Sequence, residues 1–133
     1  MFIVDFENKR WYNYIYRIEK GAKLMGENIA GFIVGIIVII LGIINMTGNV
    51  SLLHSYHRNR VKEEDKKPFG LLVGIGTIIM GVAIIILSVL LTLALNNQDA
   101  TYETIGYIVF GVVFTIGLGI NIFAMVKYNK GVF

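Results

Sequence analysis

The chain has 133 residues, a formal net charge of +3, 56% hydrophobic and only 16% charged residues, and a mean hydropathy of +0.69. Soluble domains run nearer 45–50% apolar and about 25% charged, so the balance is that of a membrane protein. With no Cys and one Pro, disulfide scaffolds, thiol catalysis and Cys-based zinc sites are excluded.

Residues 1–24 are basic and aromatic. Trp11, Tyr14, Ile15 and Ile18 follow the i, i+3, i+4, i+7 spacing of one helical face, while Arg10, Asn13, Arg17 and Lys20 line another. An aromatic face with a basic one suits an amphipathic helix in the headgroup layer. A second reading places this segment upstream of the native start. Lys20-Gly21-Ala22 can be encoded with a purine-rich ribosome-binding sequence, and Met25 follows at a suitable distance.

Three uncharged apolar runs come next, at 29–46, 69–95 and 105–126. Their 18, 27 and 22 residues reach the length of about 18 at which an uncharged run becomes a candidate membrane span. Ile and Val lower helix propensity in water, but inside a bilayer the backbone must bond to itself, so helix is expected. The first run is not followed by a small-x-small cleavage site and is read as retained rather than as a signal peptide. The expected fold is all-α: a 25–133 domain of three transmembrane helices, preceded by the amphipathic segment and containing a short cytoplasmic loop helix.

The segments between the runs set the orientation. The first loop carries Arg58, Arg60, Lys62, Lys66 and Lys67, and Lys127 and Lys130 follow the third run. Residues 96–104 contain no Lys or Arg, only the acids Asp99 and Glu103. The excess of basic residues on cytoplasmic loops then puts loop 47–68 and the C-terminus inside and 96–104 outside. The five basic residues before Met25 oppose this, and a start at Met25 would remove the conflict.

Within the first loop, Val50, Leu53, His54, His57 and Val61 share one helical stripe. Glu63 is spaced to pair with Lys66 or Lys67, and Pro68 suits the first turn of the next helix. Arg58, Arg60 and Lys62 are placed to attract anionic headgroups, at about 1 kcal/mol per charge; a solvated cluster that only sets orientation is the simpler reading. The string SYHRNRV followed by EEDKKPFG resembles a family of small bacterial multi-span membrane proteins of unknown function, over roughly residues 29–95. The resemblance implies an integral membrane fold with this loop between its first two helices, and no activity. His54, Tyr56, His57, Arg58, Arg60, Lys62, Glu64 and Asp65 are the candidate loop-interaction residues. His54 and His57, with Glu64 or Asp65, have metal-binding side chains, but no third ligand stands at a defined spacing, so neither a metal nor any cofactor is expected.

No acidic, basic or His side chain falls inside any of the three runs, where one would be a functional marker. Asn121 is the best candidate for a polar contact between helices. Small residues mark packing faces: Gly31 and Gly35 in the first run, Gly70, Gly74, Thr77 and Gly81 in the second, Gly111, Thr115 and Gly119 in the third. They fit packing within one chain or a homodimer. No catalytic or phosphate-binding motif is present. The expectation is a non-enzymatic membrane protein contacting the lipid bilayer, another membrane protein or itself, with no nucleic-acid partner. The alternatives are a small oligomeric transporter or channel, or a self-protection protein against a membrane-active peptide.

Overall fold

The structure is a computed structural model that describes residues 3–48 and 61–128. Among these every regular element is helical: α1 (Ile3–Met46), a 3-10 turn (Glu63–Asp65), α2 (Lys66–Asn97) and α3 (Ala100–Tyr128). Each of the three α-helices is long and apolar enough to cross a membrane.

α1 is one continuous helix of 44 residues, about 66 Å long. The aromatic and basic turns of residues 3–24 continue into the apolar run without a break in the helix. No Pro interrupts residues 20–30, and Lys20, Ala22, Lys23, Leu24, Met25 and Glu27 are strong helix formers. Elongating an existing helix is far easier than starting a second one. Trp11, Tyr14, Ile15 and Ile18 are exposed. The helix ends at a left-handed glycine, Gly48 (φ 81°), whose N–H bonds to Asn45 O at 3.0 Å.

Most of the expected loop helix, 50–60, lies outside the described residues. Between it and α2 stands only the 3-10 turn. There Lys66 pairs with Glu63, and Pro68 stands in the first turn of α2, where its missing N–H costs nothing.

The α2–α3 connection is shorter than the 96–104 loop expected from composition. Asn96 and Asn97 finish α2, and Ala100 already begins α3. Gln98 makes the reversal in the left-handed conformation (φ 52°, ψ 36°), with its N–H bonded to Ala94 O. Asp99 then caps α3, its Oδ1 accepting the Thr101 N–H at 2.9 Å.

Helix α2 is the middle of the fold. It packs along both α1 and α3, which make almost no contact with each other. Reciprocal glycine pairs set the approach on each side. A Cβ added at Gly35 would sit 3.0 Å from Gly81 O, and one at Gly81 would sit 2.9 Å from Gly35 O. Seven residues along, Gly42 and Gly74 face each other in the same way. On the other side of α2, Cβ atoms at Gly76 and Gly117 would each lie 2.7 Å from the partner's carbonyl oxygen. Only glycine allows backbones this close. The seven-residue spacing is the repeat of left-handed helix crossing. Gly74 and Gly76 are two residues, hence about 200°, apart around α2, so the three helices stand in a row rather than a triangle. The small enclosed core lies at one end, where Phe69 is fully buried with Val61, Val73 and Ala124 and meets Tyr128 edge-on.

Candidate functional site

A row of three helices leaves two long faces of the middle helix without a helical neighbour. Over one of them, at the Gln98 end, α1 and α3 form the walls of a groove of about 730 Å³, within the 300–1,000 Å³ typical of small-ligand sites. Its floor is a stripe of α2, with Ile84, Leu87, Ser88, Leu91 and Leu95 at i, i+3, i+4, i+7 and i+11. α1 contributes Lys20, Asn28 and Gly31, and α3 contributes Glu103, Tyr107 and Phe110. Asp99 stands at the mouth.

The polar groups of this groove have distinct states. Asn28 is 9% exposed, and its Nδ2 is buried without an acceptor. Asn28, Gly35 and Gly42 are spaced by seven, as are Gly74, Gly81 and Ser88, so the glycine ladder continues upward into an Asn and a Ser. Ser88 Oγ donates to Ile84 O at 3.0 Å, which leaves its oxygen free to accept. Gly31 is held open beside it: an added Cβ would be 2.6 Å from Ser88 Oγ. Asp99 is fully exposed, and hydrogen bonds from the Thr101 side chain and then its backbone N–H hold its carboxyl below the usual aspartate value. Among the described residues Lys20, Asp99 and Glu103 form no ion pairs with one another.

The residues singled out from sequence fall in several places. Gly35, Gly74 and Gly81 line the α1–α2 contact, and Gly31 faces Ser88. Thr77 Oγ1 donates to Val73 O within its own helix, at 2.7 Å. Asn121 lies against Gly76, its Nδ2 directed at Met80 Sδ at 3.5 Å and its Oδ1 buried without a donor. Gly111, Thr115 and Gly119 do not pack against another helix among the described residues. All three are exposed, and no neighbouring atom lies within 4 Å of a Cβ added at Gly111 or Gly119. Thr115 instead bonds to Gly111 O at 2.6 Å. The glycines by which α3 meets α2 are Gly106 and Gly117.

His54, Tyr56, His57, Arg58 and Arg60 lie outside the described residues. Lys62 Nζ is 3.6 Å from Glu64 Oε1, both side chains exposed, and Asp65 precedes α2. No metal-binding cluster occurs among the described residues.

Sequence reasoning did not select Asn28, or the assembly of Lys20, Ser88, Glu103 and Tyr107 around it. Nor did it select Gly42 or Gly117. The seven-residue spacings of Gly35–Gly42 and Gly74–Gly81 were the available signal. Comparison of the chain with protein-family models, curated proteins and solved structures gives no match.

Proposed function

We propose that the chain is a non-enzymatic integral protein of the bacterial cytoplasmic membrane that acts by contact, as an accessory protein to lipid or to another membrane protein. One observation carries this: the outer faces of both flanking helices are apolar and uncovered. Ile37 and Ile40 on α1 are each about half exposed, and Ile108, Val112 and Ile116 on α3 more than half. At roughly 25 cal/mol per Å², water could not hold such surfaces apart, whereas acyl chains solvate them. The three apolar runs carry no Asp, Glu, Lys, Arg or His, which favours contact over ion-coupled transport. The resemblance of the loop string to small bacterial membrane proteins points the same way. Loop 47–68 and the C-terminus are assigned to the cytoplasm and the Gln98 turn to the outside, from the Lys and Arg distribution.

Carbonate washing of membranes tests the location: the chain should stay in the pellet, and release into the wash would defeat the reading. The absence of native Cys permits a clean topology test. In whole cells Gln98→Cys should react with an impermeant maleimide and Lys62→Cys only after lysis; the opposite pattern would invert the assignment. Ion or drug flux into proteoliposomes well above that of empty vesicles would replace the contact role with transport.

A further inference from the structure

We infer that the groove beside Asn28 seats one phospholipid with a primary-amine headgroup, drawn from the surrounding bilayer. The inference rests on the membrane location proposed above and adds a specific ligand to it.

The floor favours an acyl chain. Along Ile84, Leu87, Leu91 and Leu95 it offers hydrocarbon, with Ser88 as its one hydroxyl. An extended peptide laid there would leave its N–H and C=O groups unpaired, whereas a lipid tail has none to satisfy. At the top of this strip Asn28 meets the level where the apolar run begins, at Ile29. Its Nδ2 is a buried donor without an acceptor among the described residues. Such donors are normally satisfied by a partner. Asn28 lines the groove, so rotation of its amide toward the groove brings that donor to a glycerol ester carbonyl or phosphate oxygen at the edge of the hydrocarbon.

Charge at the mouth selects the headgroup. Lys20, from α1, offers a cation to the phosphate. Asp99 and Glu103, from the α2–α3 turn and the start of α3, offer two carboxylates on the opposite wall. A headgroup with a phosphate and an ammonium matches both walls. A headgroup with phosphate alone meets two uncompensated carboxylates. A quaternary amine has no N–H to donate, so it forgoes the charge-assisted hydrogen bonds that a primary amine makes to carboxylates.

The test uses the full chain in a neutral maltoside detergent. Phosphatidylethanolamine, phosphatidylcholine and phosphatidylglycerol with identical tails are added in turn, and bound lipid is counted by native mass spectrometry. Phosphatidylethanolamine should be retained about fivefold over the other two, the ratio that one net hydrogen bond supplies. Glu103→Gln, at an exposed position, should cut that preference about threefold, as a rim charge does. Glu103→Lys should turn it toward phosphatidylglycerol. Asn28→Leu should weaken all three lipids, while Lys127→Gln, at the far end of α3, should change nothing.

Equal retention of the three lipids, or a preference for phosphatidylglycerol in the unmodified chain, would overturn the proposal. So would a cationic amphipathic peptide that occupies the protein and is not displaced by phosphatidylethanolamine. Release by carbonate would defeat the membrane reading itself; firm membrane retention without lipid preference would defeat only the groove.

Discussion

Replacing Gly81 by alanine adds one methyl group where α1 and α2 are closest. That Cβ would lie 2.7 Å from Ile39 Cγ1, 2.9 Å from Gly35 O and 3.0 Å from Ile39 N. Two of these atoms are backbone, so no rotamer change relieves the clash, and α1 must move away from α2. The movement opens the Gly42–Gly74 pair one heptad along, because a rigid helix cannot step back at one point alone. Overpacking of this kind costs about 1–3 kcal/mol. Gly119→Ala is the matched control, the same chemical change in α3 with no atom within 4 Å. Removing a helix glycine there stabilises by up to about 1 kcal/mol. At about 3–5 °C per kcal/mol for a chain of this size, Gly81→Ala should melt roughly 3–15 °C below the parent in detergent. Gly119→Ala should melt level with the parent or slightly above. Far-ultraviolet circular dichroism against temperature reads both. If the two variants melt alike, the glycine ladder is not the contact that holds α1 to α2.

On the other side of α2, Gly76→Ala should destabilise by a similar ~1–3 kcal/mol, since its Cβ would meet Asn121 Oδ1 at 2.6 Å and Gly117 O at 2.7 Å; thermal melts check it. Gln98→Gly should raise stability by about 0.5–1 kcal/mol, because Gln98 holds a left-handed conformation that glycine adopts without steric cost. The same melts measure that gain. The Asp99 carboxyl is held below its ordinary value by Thr101, so its stabilising contribution is complete above the unfolded-state value and disappears as pH falls through the lower folded one. Asp99→Asn should therefore flatten the acid limb of the stability–pH curve and leave its slope near neutrality unchanged; an unchanged acid limb would count against the Thr101 hydrogen bonds.

The helical content of the fold was legible in residue order. Uncharged runs at 29–46, 69–95 and 105–126 leave a chain little choice but helix, and each proved to lie within one. The helix ends were less legible because capping is local chemistry that composition does not reveal. Asn96 and Asn97 read as loop residues, yet Asn97 Nδ2 bonds to Leu93 O inside the last turn of α2. The continuity of α1 across residue 24 was hidden for the opposite reason. A change from polar to apolar composition looks like a boundary, but no residue there stops helix elongation.

The small residues show the limit most clearly. Spacing places Gly111, Thr115 and Gly119 on one face of α3 just as it places Gly74 and Gly81 on one face of α2, and periodicity alone ranks the two stripes equally. Only the packing shows that α3 turns Gly117 toward Gly76 and leaves the other stripe exposed. The candidate groove was legible as parts and not as a whole. Lys20 read as part of a basic helix face and Glu103 as an acid of the 96–104 loop, and neither Ser88 nor Asn28 stood out.

Residue order by itself determined three long apolar helices, for a reason internal to each segment: uncharged length and self-satisfied backbone bonds need no partner. The tertiary structure decided which faces meet, through glycine pairs that require two backbones at once. From those pairs it also decided that the helices form a row. In a triangle α1 and α3 would cover this face of α2; in a row they become the walls that bring Lys20 and Glu103, 83 residues apart in sequence, to the two sides of one groove.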